Sequence, residues 1–331
     1  MKYLITGITG FAGPHLANVL INHGHEVHGL VRHSNGRETD IVDVVSPGDF
    51  KAIKFVRADL TNPKALNDVI RKGQYDGVFH LAAQSHPPTS FNDPVGTFSD
   101  NVMGSVNLIQ AIEDHSKDTK LMFCSTSEVY GNVGIDGHKL TVKDPLLPAN
   151  PYGASKAAID LYLQERFLNG KIKGFITRAF SHTGPRRGRT FSISSDAYQI
   201  AEFMIAQKLS KASEPKRLRV GNLQTVRVVL DVRDIVNAYY QLMITDKSNG
   251  KIYNISGHTP RQMKYYTDTL VFLSDVKDIE YWVDPALYRP IDIQYQWGDT
   301  SEVISDTNWV PVYKIDETLD DLLYYWVKKL Q

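Results

Sequence analysis

Short apolar runs alternate, over the first 180 residues, with segments whose apolar positions recur every three or four residues. Residues 2–6 (KYLIT), Glu26 to Val31, Ile53 to Arg57, Gly77 to Ala82, Leu121 to Cys124 and Gly174 to Phe180 read as buried strands. HLANVLINHG, Pro63 to Lys72, Val102 to Asp114 and the stretch from Tyr152 to about Asn169 carry helical periodicity. Strands alternating with helices in this way imply right-handed βαβ units and an α/β fold built on a doubly wound parallel sheet. The rhythm then changes: a helix over Ala197 to Lys208, short strands at LRVGN and RVVLDV around a turn, a helix over Val232 to Met243, a strand at KIYNISG and a closing amphipathic helix over Asp316 to Lys329. The expected organisation is a nucleotide-binding domain over residues 1–180, rejoined by part of 225–254, and a smaller interleaved α/β lobe over 181–331 that covers the sheet's carboxyl edge.

Composition narrows the classes. A chain of 331 residues with 42% hydrophobic and 22% charged positions affords a substantial core. No apolar run approaches the ~18 residues that span a bilayer, so no membrane partner is expected. The 37 basic and 37 acidic residues balance, which removes global charge as an argument for nucleic acid. Cys124 is the only cysteine, and the opening MKYLITGITG lacks the pattern of a secretory leader, so a cytoplasmic setting without disulfides is expected.

The chemistry gathers where strands end. Gly7, Gly10 and Gly13 follow the first strand and open a helix, the arrangement that brings backbone N–H groups to a pyrophosphate, although a tight turn alone would use the same glycines. The second strand ends Val31-Arg32-His33-Ser34 with no carboxylate for ribose hydroxyls, so Arg32 favours a 2′-phosphate and NADP over NAD; a solvated Arg at a strand end is the alternative. Asp59 is in position to meet an adenine edge or to cap a turn. Small residues at Ala82 and Ala83 allow a ribose close to the backbone, and Gln84 and Ser85 follow as polar loop residues open to a substrate. The fifth strand runs into Ser125-Thr126-Ser127-Glu128, delivering hydroxyls and a carboxylate together, and Tyr152 and Lys156 stand four apart on one helix face. Arg186, Arg187 and Arg189 lie in a Gly- and Pro-containing loop, which suits a diphosphate clamp, a subunit contact or a charged turn. Five histidines between His15 and His33 match no zinc spacing, and no metal is expected.

Gly7-x-x-Gly10-x-x-Gly13, Asp59, Leu81-Ala82-Ala83, Asn101, Ser125 to Gly131 and Tyr152-x-x-x-Lys156 together resemble the extended short-chain dehydrogenase/reductase family, with its Rossmann sheet. Ala82 to His86, Thr126-Ser127-Glu128, Pro185 to Gly188 with Thr190-Phe191, Val220-Gly221-Asn222 with Arg227, and Val283 to Pro285 with Tyr288-Arg289-Pro290 resemble more closely the GDP-mannose 4,6-dehydratases. Ser181 and Val228 depart from that pattern, standing where an Asn and an Asp are usual. The resemblance implies Thr126, Glu128, Tyr152 and Lys156 as catalytic groups: Tyr152 as acid/base, Lys156 lowering its pKa, Thr126 on the sugar hydroxyl, and Glu128 taking the C5 proton and assisting loss of water from C6. A loop-capping carboxylate is the other reading of Glu128. For NADP the resemblance implies Gly7, Gly10, Phe11, Gly13, Arg32, Asp59, Leu60, Leu81, Ala82, Ala83, Tyr152 and Lys156. For the GDP-sugar it implies Ser85, Thr126, Ser127, Arg187, Arg227 and Arg289, with Arg186 on the phosphate or on a neighbouring subunit's cofactor. A homodimer or homotetramer is the implied assembly.

The implied activity is conversion of GDP-mannose, or a related GDP-manno-heptose, to a GDP-4-keto-6-deoxy sugar. NADPH-dependent reduction of a GDP-6-deoxy-4-keto-hexose is the rival, because reductases share the nucleotide end and the Tyr–Lys pair. A catalytically idle nucleotide sensor would need the glycine loop but not all four reactive groups.

Overall fold

The computed structural model describes residues 1–32, 37–209 and 216–331; His33 and Ser34 of the second strand's expected exit lie outside the described residues. Six strands, β1 (Lys2–Thr6), β2 (Glu26–Val31), β3 (Lys54–Arg57), β4 (Gly77–His80), β5 (Lys120–Thr126) and β6 (Lys173–Ala179), form with Ile252–Ile255 a seven-stranded sheet. Its order is Ile252–Ile255, β6, β5, β4, β1, β2, β3, and every pairing is parallel. Sequence order reverses between β1 and β4, so a crevice opens at their carboxyl ends.

Helices cover both faces because the strand residues are apolar in both directions. Ala12–Asn22 and Val232–Ile244 pack one face around Leu16, Leu20, Ile235 and Tyr239; Pro63–Gly73, Gly104–His115 and Pro151–Leu168 pack the other around Leu66, Leu108, Ile159 and Leu163. Proline sets φ in the first turn of Pro63–Gly73 and of Pro151–Leu168, and an asparagine caps each: Asn62 accepts from Ala65 N and Asn150 from Gly153 N. A separate core joins helices Ser192–Lys208, Met263–Ser274 and Ile315–Leu330 around Ile200, Leu270 and Leu322.

Several boundaries differ from expectation. β4 stops at His80, so Leu81 and Ala82 are loop; β5 extends through Thr126, which therefore ends a strand while Ser127–Tyr130 makes a 3₁₀ turn. Short helices at Pro87–Asn92 and Pro94–Phe98 and a π-type turn at Ser99–Met103 precede the helix expected from Val102, which begins at Gly104. LRVGN and RVVLDV do not pair around a turn. Lys216–Val220 lies parallel to Ile279–Val283, whereas Val226–Arg227 pairs with Arg261–Gln262 and Tyr295–Gln296. Among the described residues no helix is long and apolar enough to cross a membrane, and no group of three or more His, Cys, Asp or Glu could hold a metal ion.

Candidate active site

At the crevice Gly7 adopts φ +74°, and a Cβ there would stand 2.8 Å from Ala82 N; one at Gly13 would stand 2.5 Å from Gly7 O. These two positions need glycine for a turn this close to the next strand's exit. The helix that follows, Ala12–Asn22, has Phe11 at its N-cap position with no side-chain cap, leaving its first N–H groups for an anion. Thr6 Oγ1 accepts from Ala82 N (3.1 Å) and bonds His80 Nδ1 (2.7 Å), and His80 Nε2 bonds Ser105 Oγ (2.9 Å), so the strap Leu81-Ala82-Ala83 is tied to β1. Burial pushes His80 down to about 3, so it serves as a neutral brace. Arg32, exposed, reaches Asp59 (4.0 Å) and Asp100 (3.8 Å), while Asp59 Oδ1 also accepts from Thr61 N (2.9 Å). Leu60 follows on the same turn, with its carbonyl held by Asn107 Nδ2 (3.0 Å). An open helix start on a glycine turn, with an exposed and loosely paired cation at the next strand's end, fits a dinucleotide carrying an extra phosphate.

Across the crevice, Thr126 ends β5 beside the buried Tyr152 of helix Pro151–Leu168. Burial pushes the Tyr152 phenol above its ordinary range, as do the neighbouring Cys124 and Glu128; a hydrogen bond with Thr126 and the charge of Arg187 act the other way. Lys156 stands one turn further along the same helix and is buried. Its Nζ donates to Cys124 O (2.6 Å), and burial lowers its own pKa, opposed by Cys124 and Asp160. One ammonium donor is thus spent on β5, leaving further donors for a ribose or the phenolate. Asn101, on the π-type turn, accepts from Gln84 N (2.8 Å) and donates to Gln84 O (3.0 Å) and Ser155 Oγ (2.9 Å), joining the Gln84-Ser85 loop to the Tyr152 helix.

Glu128 is held at both oxygens: Asn150 Nδ2 donates to Oε2 (2.6 Å) and Arg289 Nη1 approaches Oε1 (3.4 Å). Arg227 is buried beside them, donating to Val226 O (2.8 Å) and Ile293 O (2.6 Å), with burial lowering its pKa and Glu128 opposing. Arg187 lies 3.5 Å over the Phe191 ring and 4.8 Å from Phe11, and is pushed down to about 10 by burial. Among the described residues neither Arg187 nor Arg227 has a carboxylate at ion-pair distance, so two cations largely withdrawn from water lack a directly paired counter-charge. Such charges favour an anionic ligand. Ser85 is exposed on its loop. Ser127 differs from expectation: its hydroxyl donates to Gln296 Oε1 (3.2 Å) and Gln296 Nε2 returns a bond to Ser127 O (3.0 Å), so that buried side chain is spent inside the protein.

Beneath these groups lies a buried ion pair that sequence reasoning missed. Asp160, one turn beyond Lys156, takes Arg178 Nε (2.9 Å) and Nη2 (2.8 Å), Ser125 Oγ (2.9 Å) and Gln164 Nε2 (2.8 Å). Arg178 Nη1 donates to Tyr130 OH (2.9 Å), whose own hydroxyl donates to Asn254 Oδ1 (2.7 Å). Ser125 and Tyr130 flank Thr126 and Glu128, so one pair anchors the strand end and the turn that carry them. Arg186 is engaged within the chain. In an αL backbone at φ +73°, it pairs within the chain with Asp43 (3.2 Å) and approaches Thr9 O (3.4 Å) in the glycine loop. Of the histidines, His15 bonds Pro185 O (3.1 Å), His25 bonds Tyr240 OH (3.1 Å) and His28 bonds Glu26 Oε1 (2.9 Å); His33 lies outside the described residues.

The strand order and the placement of the Tyr-x-x-x-Lys pair define an enzyme class, the extended short-chain dehydrogenases/reductases, and solved structures of that fold superpose over the whole chain. RMD from Pseudomonas aeruginosa complexed with NADPH matches with a TM-score of 0.79, 25% identity and 99% of each chain covered. UDP-glucose 4-epimerase of Thermus thermophilus, in complex with NAD, matches with a TM-score of 0.82 at 24% identity over 98% of this chain and 99% of that one, a likeness of fold alone. The chain belongs to the GDP-mannose 4,6 dehydratase family, whose profile matches residues 4–322. Relatives similar over their length include GDP-6-deoxy-D-mannose reductase of Pseudomonas aeruginosa (28% identical, 100% of this chain and 98% of that protein) and GDP-mannose 4,6-dehydratase of Vibrio cholerae (28%, 100% and 95%).

Proposed function

We propose that the protein is a GDP-mannose 4,6-dehydratase that uses NADP. The observation that carries this reading is Glu128, a carboxylate fixed between Asn150 and Arg289 two residues beyond Thr126 and near enough to raise the Tyr152 phenol's pKa. Oxidation or reduction at C4 alone needs Tyr152, Lys156 and Thr126; elimination needs a separate base for C5.

NADP, held by Gly7, Gly10, Phe11, Gly13, Arg32, Asp59, Leu60 and the Leu81 to Ala83 strap, supplies a reversible hydride acceptor. Thr126 bonds the C4 hydroxyl and Tyr152 takes its proton, with Lys156 steadying the charge that develops. The resulting C4 ketone acidifies C5–H. Glu128 removes that proton and delivers it to the departing C6 hydroxyl as water, and Tyr152 returns a proton at C5 as C6 takes back the hydride that the cofactor would have accepted from C4. Arg187, Arg227 and Arg289 neutralise the substrate's diphosphate, and Ser85 lies toward the sugar. We place the cofactor on residues 1–180 with part of 225–254, and the sugar nucleotide against 181–331. The same reading has the enzyme working in the cytoplasm as a homodimer or homotetramer, checked by mass in solution.

Reduction of a GDP-4-keto-6-deoxy-hexose is the second reading, favoured by full-length likeness to the Pseudomonas reductase. Incubation with GDP-mannose and no added reductant separates the two. A 4-keto-6-deoxy product supports dehydration; turnover only of a keto-sugar with NADPH supports reduction. Glu128→Gln should abolish dehydration while NADP binding stays within about twofold, and full dehydration by that variant refutes the assigned base.

A further inference from the structure

Asn150 occupies the residue before Pro151-Tyr152 and is buried. Its Oδ1 accepts from Gly153 N (2.8 Å), capping the helix that carries Tyr152 and Lys156, while its Nδ2 donates to Glu128 Oε2 (2.6 Å). Serine, threonine or aspartate would serve the cap equally. Only the forked amide serves both partners from two separate atoms, Oδ1 for the helix and Nδ2 for the carboxylate; a hydroxyl has one oxygen, a bond nearer the backbone, for both. The close approach has a second trace: a Cβ on Gly153 would stand 2.7 Å from Glu128 O, so the helix start is packed directly on the Glu128 backbone. The two elements that bear the phenol and the carboxylate therefore meet at this one side chain.

We propose that Asn150 is a positioning residue that sets which oxygen of Glu128 does the proton transfer; this rests on the dehydratase reading above. With Oε2 engaged by the Asn150 amide, Oε1 is the oxygen that takes the C5 proton. Its contact to the partly exposed Arg289 guanidinium is longer, at 3.4 Å, and that arginine is free to turn to the substrate's diphosphate. Atoms and electrons balance. The C5–H bond breaks and Oε1–H forms; then the C6–O bond breaks as the electron pair left at C5 makes the C5–C6 double bond. The Oε1 proton leaves with the hydroxyl as water. Oε2 accepts from Asn150 throughout, so the carboxyl plane does not turn between the two half-steps.

Asn150→Ser keeps the cap, and its single oxygen, a bond shorter and engaged with Gly153 N, withdraws the donor from Glu128 Oε2. Its urea midpoint and its NADP dissociation constant should match wild type, with KM for GDP-mannose within about twofold, while kcat for dehydration falls ~10–100-fold. In a single turnover the absorbance of the reduced cofactor should rise at the wild-type rate and then decay slowly, because C4 oxidation precedes the step that Asn150 serves. Asn150→Asp also keeps a cap but sets a second carboxylate against Glu128, and should lose more activity than the serine variant. An Asn150→Ser enzyme that dehydrates GDP-mannose within twofold of wild type overturns the proposal, as does a variant whose C4 oxidation and dehydration slow together. If wild-type protein itself does not dehydrate GDP-mannose, the dehydratase reading fails and takes this proposal with it; the two failures are told apart in the wild-type control.

Discussion

The Arg178–Asp160 pair should be the most sensitive polar contact in the fold. Arg178 is 2% exposed and Asp160 0%, and the guanidinium gives Asp160 two of its four hydrogen bonds. In Arg178→Met the carboxylate keeps only Ser125 and Gln164 as donors, a buried charge without a hydrogen-bonded counter-charge. Breaking such a pair from one side costs on the order of 3–5 kcal/mol. Tyr130 OH and Val142 O lose a donor as well. Arg178→Met/Asp160→Leu, which removes both charges, should be more stable than Arg178→Met alone, so the two single losses will not add. Arg71→Met is the control: its partner Asp68 is exposed, three residues away on one helix, and its loss should leave the urea midpoint unchanged. Urea unfolding curves with shared m-values give these differences directly. An Arg178→Met protein within about 1 kcal/mol of wild type, or a double variant equal to the sum of the singles, would show that the pair does not anchor the site.

Other expectations follow from the same kind of balance. Asp196 is pushed up to about 7 by burial, partly offset by the hydrogen bond from Thr267, against ~4 for an aspartate in the unfolded chain. Between those values the folded state holds a proton the unfolded state has lost, so this group's contribution declines as pH rises from about 4 to about 7. The substitution Asp196→Asn should therefore stabilise the protein at pH 8 by at most about 4 kcal/mol and not at pH 4, as read from urea midpoints at both; equal gains would contradict the sign. Arg187→Met retains stacking on Phe191 but removes a cation that lacks a directly paired counter-charge, so ligand-free stability should stay within about 1 kcal/mol while GDP-mannose binding weakens ~10-fold or more by calorimetry. Arg32→Ala should weaken NADP binding ~10-fold and leave NAD binding unchanged, since its links to Asp59 and Asp100 are long; equal weakening of both cofactors would remove Arg32 from the 2′-phosphate.

What the chain reveals on inspection is local. The strand ends, the glycine turn and the i, i+4 spacing of Tyr152 and Lys156 depend on neighbours a few residues away, and the parallel sheet follows from their alternation. Thr126 and Glu128 could be read as site residues because they directly follow an apolar run. Partners distant in sequence could not be found that way. Lys216–Val220 pairs with Ile279–Val283 rather than with its neighbour, Ser127 is claimed by Gln296, and Arg178 finds Asp160 from another element. Asn150 carried one signal, an Asn before Pro that reads as a helix cap; its second bond to Glu128 spans a loop whose path periodicity does not encode. The effect of burial on Tyr152 and Lys156 was hidden for the same reason, since it depends on side chains brought together only by folding.

The proposed reaction oxidises C4, eliminates across C5–C6 and reduces C6 at one site without external reductant. GDP-mannose deuterated at C4 should, on incubation with the protein and NADP alone, give a GDP-4-keto-6-deoxy sugar with the C4 deuterium on C6 of the same molecule. Unchanged GDP-mannose, or a product that forms only when NADPH is added to a keto-sugar, would contradict that reaction.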